Sequence, residues 1–352
     1  MEDDGFTTVR RSGRRRGNRS PRAPLDHKTS STISYTNQTT SRPRDRQPTT
    51  EQRLEKVLAI LETRRRQLLE EEGNSGKGKD RSFVASWTDQ LAAIRSILRD
   101  APGEREGQLR FTRIVCLGIG ITSESRESQF QFILLDMLQE AFQIPTKEIW
   151  VYDPLFTSVE IRLLQSRGYQ LIPKNECGKH ELDPRHRTLV YMPHCPGKLY
   201  DAFVRQNWAE RLLGASAVLD GEKTNTSGVS ASPRAVLLAN DFRGYVENLP
   251  RRKVEKELSA LYRLTPHLSR IAFPSLPTSH IASNAFNSLV FQYICEGESG
   301  KVDWESKPSE GAPTEVASTE VIEGELHIED HDAPPDEEEL SRRLARTVIA
   351  KG

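Results

Sequence analysis

A three-layer, Rossmann-like α/β fold, with a mainly parallel sheet and helices on both faces, is what this sequence predicts. Three observations predict it. From residue 112 short apolar runs alternate with longer amphipathic stretches, the order that builds a parallel sheet from strand–helix–strand units. The runs themselves, such as 114–117 and 189–192, are continuously apolar, as strands covered on both faces are. Glycines and polar residues gather just after these runs, where such sheets open their ligand crevice.

The elements follow in order. "EQRLEKVLAILETRRRQLLEEE" (51–72) sets Leu54, Val57, Leu58, Leu61, Leu68 and Leu69 mostly on one helical face, amid dense charge. It reads as a surface helix or one that seeks a partner. "SFVASWTDQLAAIRSILRD" (82–100) repeats Phe83, Trp87, Leu91, Ile94 and Leu98 at helical spacing and should pack on the domain that follows. "RIVCLGI", "EIWVYDP", "YQLIP", "RTLVYMP" and "AVLLAND" are five strands, and "RIAF" is a short last one. The helices between them are "SRESQFQFILLDMLQEAF", "FTSVEIRLLQSRG", "KLYDAFVRQNWAERLL" and "VEKELSALYRLTPHL". Residues 214–234 are rich in turn formers and read as an inserted loop. No internal repeat is present.

The ends differ from the middle. Hydrophobic residues are 36% of the 352-residue chain, so part of it is expected to lie outside any core. Residues 1–50 carry 11 Lys or Arg against 5 acids in a Ser/Thr/Pro-rich background, and 296–339 carry 16 acids against Lys301 and Lys307. Both lack apolar periodicity, and the expectation is a disordered basic tail (1–50) and a disordered acidic tail (296–352). Between them lie N-terminal helices (51–108) and the α/β domain (109–295). The 50 basic and 50 acidic residues cancel, so net charge selects no partner. With no apolar stretch long enough to span a bilayer, no leader sequence and four scattered cysteines, the reading is an intracellular protein of the cytoplasm and/or nucleus. The basic arm is a solvated tail, a nuclear address or a nucleic-acid contact; the last is disfavoured because no aromatics interleave the cations. Protein partners are expected to engage the tails or the N-terminal helices.

The candidate site is the set of strand-end residues: Gly118 and Gly120, Asp153, His194 and Cys195, and Asn240. "GIGITS" has two of the three glycines of a dinucleotide fingerprint, with Ser123 where the third would stand. It is either a structural turn or a cradle for an anion or nucleotide. Glu124 and Glu127 would repel a bare phosphate, while Arg126 would attract one. Asp153 is either a ribose contact or a helix cap. "YMPHCP" admits a His194 acid or base, a Cys195 nucleophile, or a Cys195 thiolate on haem iron, against a plain buried thiol and hydrogen-bonded histidine. Adjacent residues of an extended segment point opposite ways, so His194 and Cys195 do not form a dyad with each other. Zinc is disfavoured, since no Cys or His pair shows ligand spacing.

At these residues the chain resembles the SRR-like ("sensitivity to red light reduced") domain family. The segments that carry the resemblance run from Arg113 to Phe242. They are "VCLGIG" with Gln131 after it, "VYDPLFTSVEIRLLQSRGYQLI", "NECGK", "TLVYMPHCPGKLYDAFVRQNW" and "VLLANDF". Further on, "SNAFNSLVFQYI" is similar to the family's closing segment, with its Ala-Phe-Asn. The 214–234 insertion departs from the pattern, and Asp241 stands where a small hydroxyl residue is expected. The resemblance implies circadian or light-signal regulation and control of haem biosynthesis, raises the weight of Asp153, His194 and Cys195, and names no reaction. The expectation is therefore a regulatory protein whose crevice binds a small ligand of haem or adenine-nucleotide type. The alternative is a methyltransferase-like or nucleotide-dependent enzyme using the same crevice.

Overall fold

The computed structural model describes residues 48–70, 83–99, 111–216 and 232–310, which belong to one unit. Helix α1 (Thr50–Leu69) begins with a capping box in which Thr49 and Gln52 satisfy each other's backbone N–H groups. Val57, Leu61 and Leu68 are buried, and the helix packs on α3 (Arg126–Phe142) and α4 (Ser158–Arg167). Arg65 pairs with Glu140 at 2.7 Å, and the Arg64 guanidinium sits over the Phe130 ring. The charge-flanked stripe is therefore packed within the fold. In α2 (Phe83–Arg99) all five stripe residues are buried. Phe83 and Trp87 pack at a tilt against Phe273, and Phe83 stacks on Phe286.

The remaining strands and helices run β1 (Arg113–Leu117), β2 (Ile149–Tyr152), β3 (Gln170–Leu171), β4 (Thr188–Met192), α5 (Gly197–Gln206), α6 (Glu210–Leu213), β5 (Ala215–Ser216), β6 (Ser232–Pro233), β7 (Ala235–Asn240), α7 (Phe242–Glu247), α8 (Arg251–Glu257), α9 (Ser259–Leu264), β8 (Ser269–Ala272), α10 (Ser283–Phe286), β9 (Leu289–Tyr293) and α11 (Glu296–Ser299). Seven strands form one sheet in the order β3-β2-β1-β4-β7-β9-β8, parallel from β3 to β7. Period-two alternation sorts the strand residues into two cores. Ile114, Cys116, Leu189 and Tyr191 face α1–α4, whereas Val115, Leu117, Val190 and Met192 face α5, α6, α8 and α9. The chain runs from β1 outward to β3 and returns to β4 on the other side of β1. The topological switch point thus lies between β1 and β4. Among the described residues no helix is long and apolar enough to cross a membrane.

Four expectations change. The strand at 270–273 is the sheet edge, and β9, which sequence periodicity did not mark, lies between it and β7, antiparallel to both. The 198–213 helix breaks at Asn207, whose side chain accepts from Leu182 N and donates to His180 O and Phe203 O, turning the chain. The 254–268 helix starts earlier, at Arg251, and breaks at Leu258; buried Asp201 accepts from Ala260 N and Leu261 N to start α9. The acidic segment is folded through Glu310, because Trp304 packs on Trp208 (5.4 Å), the Trp208 indole N–H bonds Asp303 O, and Arg263 covers Trp208 and binds the Ser306 carbonyl. The inserted loop is closed at its base by the two-residue β5–β6 ladder. Its residues 217–231, like the basic arm and the rest of the acidic tail, lie outside the described residues.

Candidate functional site

The strand-end residues lie together at the carboxyl ends of β1, β2, β4 and β7, and they meet in pairs. After β1 the chain turns through Gly118 (φ 75°) and Gly120 (φ 77°), a region that glycine enters without steric cost. A Cβ at Gly118 would lie 2.6 Å from the Cys195 sulfur. Gly120 N donates to Asp153 Oδ2 at 2.7 Å, and His194 N donates to Asn240 Oδ1 at 3.2 Å.

Asp153 is buried, and its second oxygen accepts from Leu155 N at 2.8 Å. It caps the turn after β2 with one oxygen and staples the β1 loop with the other. A second carboxylate does the same further along: Glu160 accepts from Ser123 N at 2.9 Å and from Thr157 N at 3.1 Å, and also binds the Thr157 hydroxyl. Burial works to raise the Glu160 pKa, but these hydrogen bonds outweigh it and hold the group below the usual carboxylate value. Ser125 is the N-cap of α3 and accepts from Ser128 N. Two amides that would grip a phosphate in a nucleotide loop, those of Gly120 and Ser123, are thus filled by the chain's own carboxylates.

The loop after β4 is fixed as tightly. His194 takes a left-handed backbone (φ 51°), uncommon for a residue other than glycine, and its surroundings hold it there. Tyr200 and Tyr245 do the enforcing, together with Asn240. The Tyr200 hydroxyl donates to Met192 O and accepts from Cys195 N and Asn240 N; the Tyr245 hydroxyl donates to Cys195 O and accepts from Asn240 Nδ2. Cys195 is 4% exposed, with its thiol against Gly118 and donating to Leu117 O at 3.5 Å. Burial first, and the nearby Asp153 second, push its pKa up to about 12. A protonated, enclosed thiol does not fit thiolate ligation of haem iron. His194 is exposed, and its Nε2 lies 3.0 Å from Ala285 O. A carbonyl only accepts, so Nε2 carries a proton. The arrangement offers one open imidazole beside a rigid loop, with the neighbouring carboxylates already engaged.

Asp241, the residue that departs from the expected pattern, caps α7 through Arg243 N and pairs with Arg270 at 2.7 Å. Sequence reading missed Glu160, Tyr200, Tyr245 and the Ala285 carbonyl. Their roles are to hold backbone groups, and no spacing rule marks a residue that binds a peptide group far along the chain. Gln131, which the resemblance singled out, also donates to Ala285 O (3.4 Å), and its own carbonyl accepts from the Tyr191 hydroxyl.

Comparison with known proteins fits this geometry to a wider group. The SRR1 domain family matches residues 80–293, a span that takes in α2. An SRR1-like protein of Mus musculus is 28% identical over 162 residues, 46% of this chain and 56% of the mouse protein. Protein SENSITIVITY TO RED LIGHT REDUCED 1 of Arabidopsis thaliana is 30% identical over 130 residues, 36% of this chain and 45% of the plant protein. An SRR1-like protein of Drosophila melanogaster is 30% identical over 123 residues, 35% and 42% of the two chains. The matched region thus spans about half the length of these relatives.

Proposed function

This chain belongs to the SRR1 domain family, and on that premise we propose that it is a regulatory protein that acts by binding, with a small-ligand crevice at the switch point. The observation that carries this reading is the pair of internal carboxylates. Asp153 and Glu160 already occupy the Gly120 and Ser123 amides, so the loop is built to be held and not to hold a phosphate. Acid–base catalysis needs a proton-handling group set against a partner. Here the exposed imidazole of His194 faces a peptide carbonyl, and the neighbouring thiol is enclosed.

A ligand of haem type, or the nucleoside part of a nucleotide-like one, would meet His194 Nδ1 and the rim of the 118–123 loop. The process regulated is, in this proposal, light or circadian signalling or haem supply, since a plant relative is named for its reduced sensitivity to red light. The site of action proposed is the cytoplasm or nucleus, with protein partners on the charged arms. Calorimetry of the full chain with haemin, S-adenosylmethionine and adenine nucleotides tests the crevice. The expected result is micromolar binding of one of them that His194→Ala weakens about tenfold, the scale of one lost hydrogen bond. If none binds below about 1 mM, the crevice is structural and the regulatory role rests on protein surfaces. The alternative, an enzyme of methyl-transfer or nucleotide-dependent type, requires Asp153 to exchange its backbone donors for ribose hydroxyls. Tight binding that Asp153→Asn abolishes would favour it.

A further inference from the structure

The Ala-Phe-Asn segment takes no part in the crevice beyond the Ala285 carbonyl, yet it forms one wall of a separate concavity of about 360 Å³ between the end of β8 and the start of β9. Its floor is apolar: Phe273, Leu276, Phe286 and Leu289. Phe273 and Phe286 are locked from behind by Phe83 and Trp87 of α2, with ring centroids 5.8 to 6.4 Å apart. The surface is therefore preorganised.

Its polar lining comes from neutral residues only, with no ionisable side chain among those that line it. Asn284 and Asn287 are exposed, and neither amide side chain has a hydrogen-bond partner among the described residues. Ser288 beside them takes a left-handed backbone (φ 64°), while its carbonyl accepts from Asp241 N. Apolar and aromatic side chains with a few neutral donors and acceptors among them are the usual lining of a small-molecule site, and the volume lies within the range of such sites. Carboxamides pair in two-point fashion with the N6/N7 edge of adenine. A lining free of cations offers a phosphate no charge-assisted hydrogen bond from a side-chain cation.

We propose that this concavity binds an uncharged purine nucleoside, its base on the Phe273–Phe286 floor and its edge on Asn284 and Asn287. The inference does not rest on the crevice reading, because the two sites separate by mutation. Saturation-transfer NMR and calorimetry with adenosine and AMP, on the full chain, test it. Adenosine should bind below about 1 mM, AMP no more tightly than adenosine, and Asn284→Ala or Asn287→Ala should each weaken adenosine about tenfold. Leu276→Trp, which fills the concavity and leaves both amides in place, should abolish binding. Three results would overturn the proposal. They are no adenosine binding below that limit, AMP binding about tenfold tighter than adenosine, or loss of binding in His194→Ala with retention in the Asn284→Ala/Asn287→Ala double variant.

Discussion

At the scale of single residues, the site is a set of pairwise fits. Gly118 is the sharpest of them, since a side chain there meets both a positive φ and the Cys195 sulfur at 2.6 Å. Gly118→Ala should cost roughly 2–4 kcal/mol in denaturant unfolding. Adding Cys195→Ala removes the clash and should recover all but about 1–2 kcal/mol, the left-handed backbone penalty; additive costs would mean the two residues do not touch. Glu160 gives a pH signature. Its folded pKa is lowered, so its contribution is present above the unfolded value and is lost as pH falls through the folded one. Unfolding free energy followed from pH 7 down through about 4.5 should therefore fall more steeply in the wild type than in Glu160→Gln. Parallel pH curves would remove Glu160 from the account. The strand-end positions of Gly118, Gly120, Asp153, His194, Cys195 and Asn240 were legible because strand ends can be read from apolar runs. Their partners were not. That Asp153 binds Gly120 N depends on the loops after β1 and β2 meeting beyond the carboxyl ends of those strands, which local sequence does not encode.

At the scale of elements, the helical stripes were legible to within three residues at either end where one face is apolar, as in α1 and α2. What periodicity could not read was β9, and Gln292 shows why. It sits mid-strand and fully buried, with Oε1 accepting from Phe242 N and Nε2 donating to Asn240 O. A glutamine inside an apolar run reads as a surface position, whereas here it closes the open end of β7. The helix breaks at Asn207 and Leu258 were hidden for a related reason, since a buried side chain binds the interrupted backbone at each: Asn207 itself at the first, Asp201 of α5 at the second. Helix α2 belongs to the domain and not to a leader, because Trp87 packs on Phe273 from β8's end. Trp87→Ala should cost about 3–5 kcal/mol, while Val84→Ala, on the same helix but 37% exposed, should change stability by about 0.5 kcal/mol or less. Equal effects in thermal or urea unfolding would show that α2 is not docked.

At the scale of the whole molecule, the fold is closed by its own C-terminal segment. Residues 296–310 run back over α5 and α9, and Glu310 ends between Lys179 (2.8 Å) and Arg205 (3.8 Å). Composition pointed to a tail from residue 296, because acids outnumber apolar residues there. Two tryptophans and a stacked arginine outweigh that signal by burying a small, dense contact that average hydropathy dilutes. Limited proteolysis followed by intact-mass measurement should accordingly yield a resistant core that retains Trp304. A core ending near 295 would show that the strap does not hold. One consequence of the stapled β1 loop reaches beyond stability. A carboxylate tethered beside an amide competes with any free anion at an effective local concentration of millimolar or more, and here two such competitors are fixed in place. A free phosphate or triphosphate would have to displace both carboxylates before it reached the Gly120 and Ser123 amides.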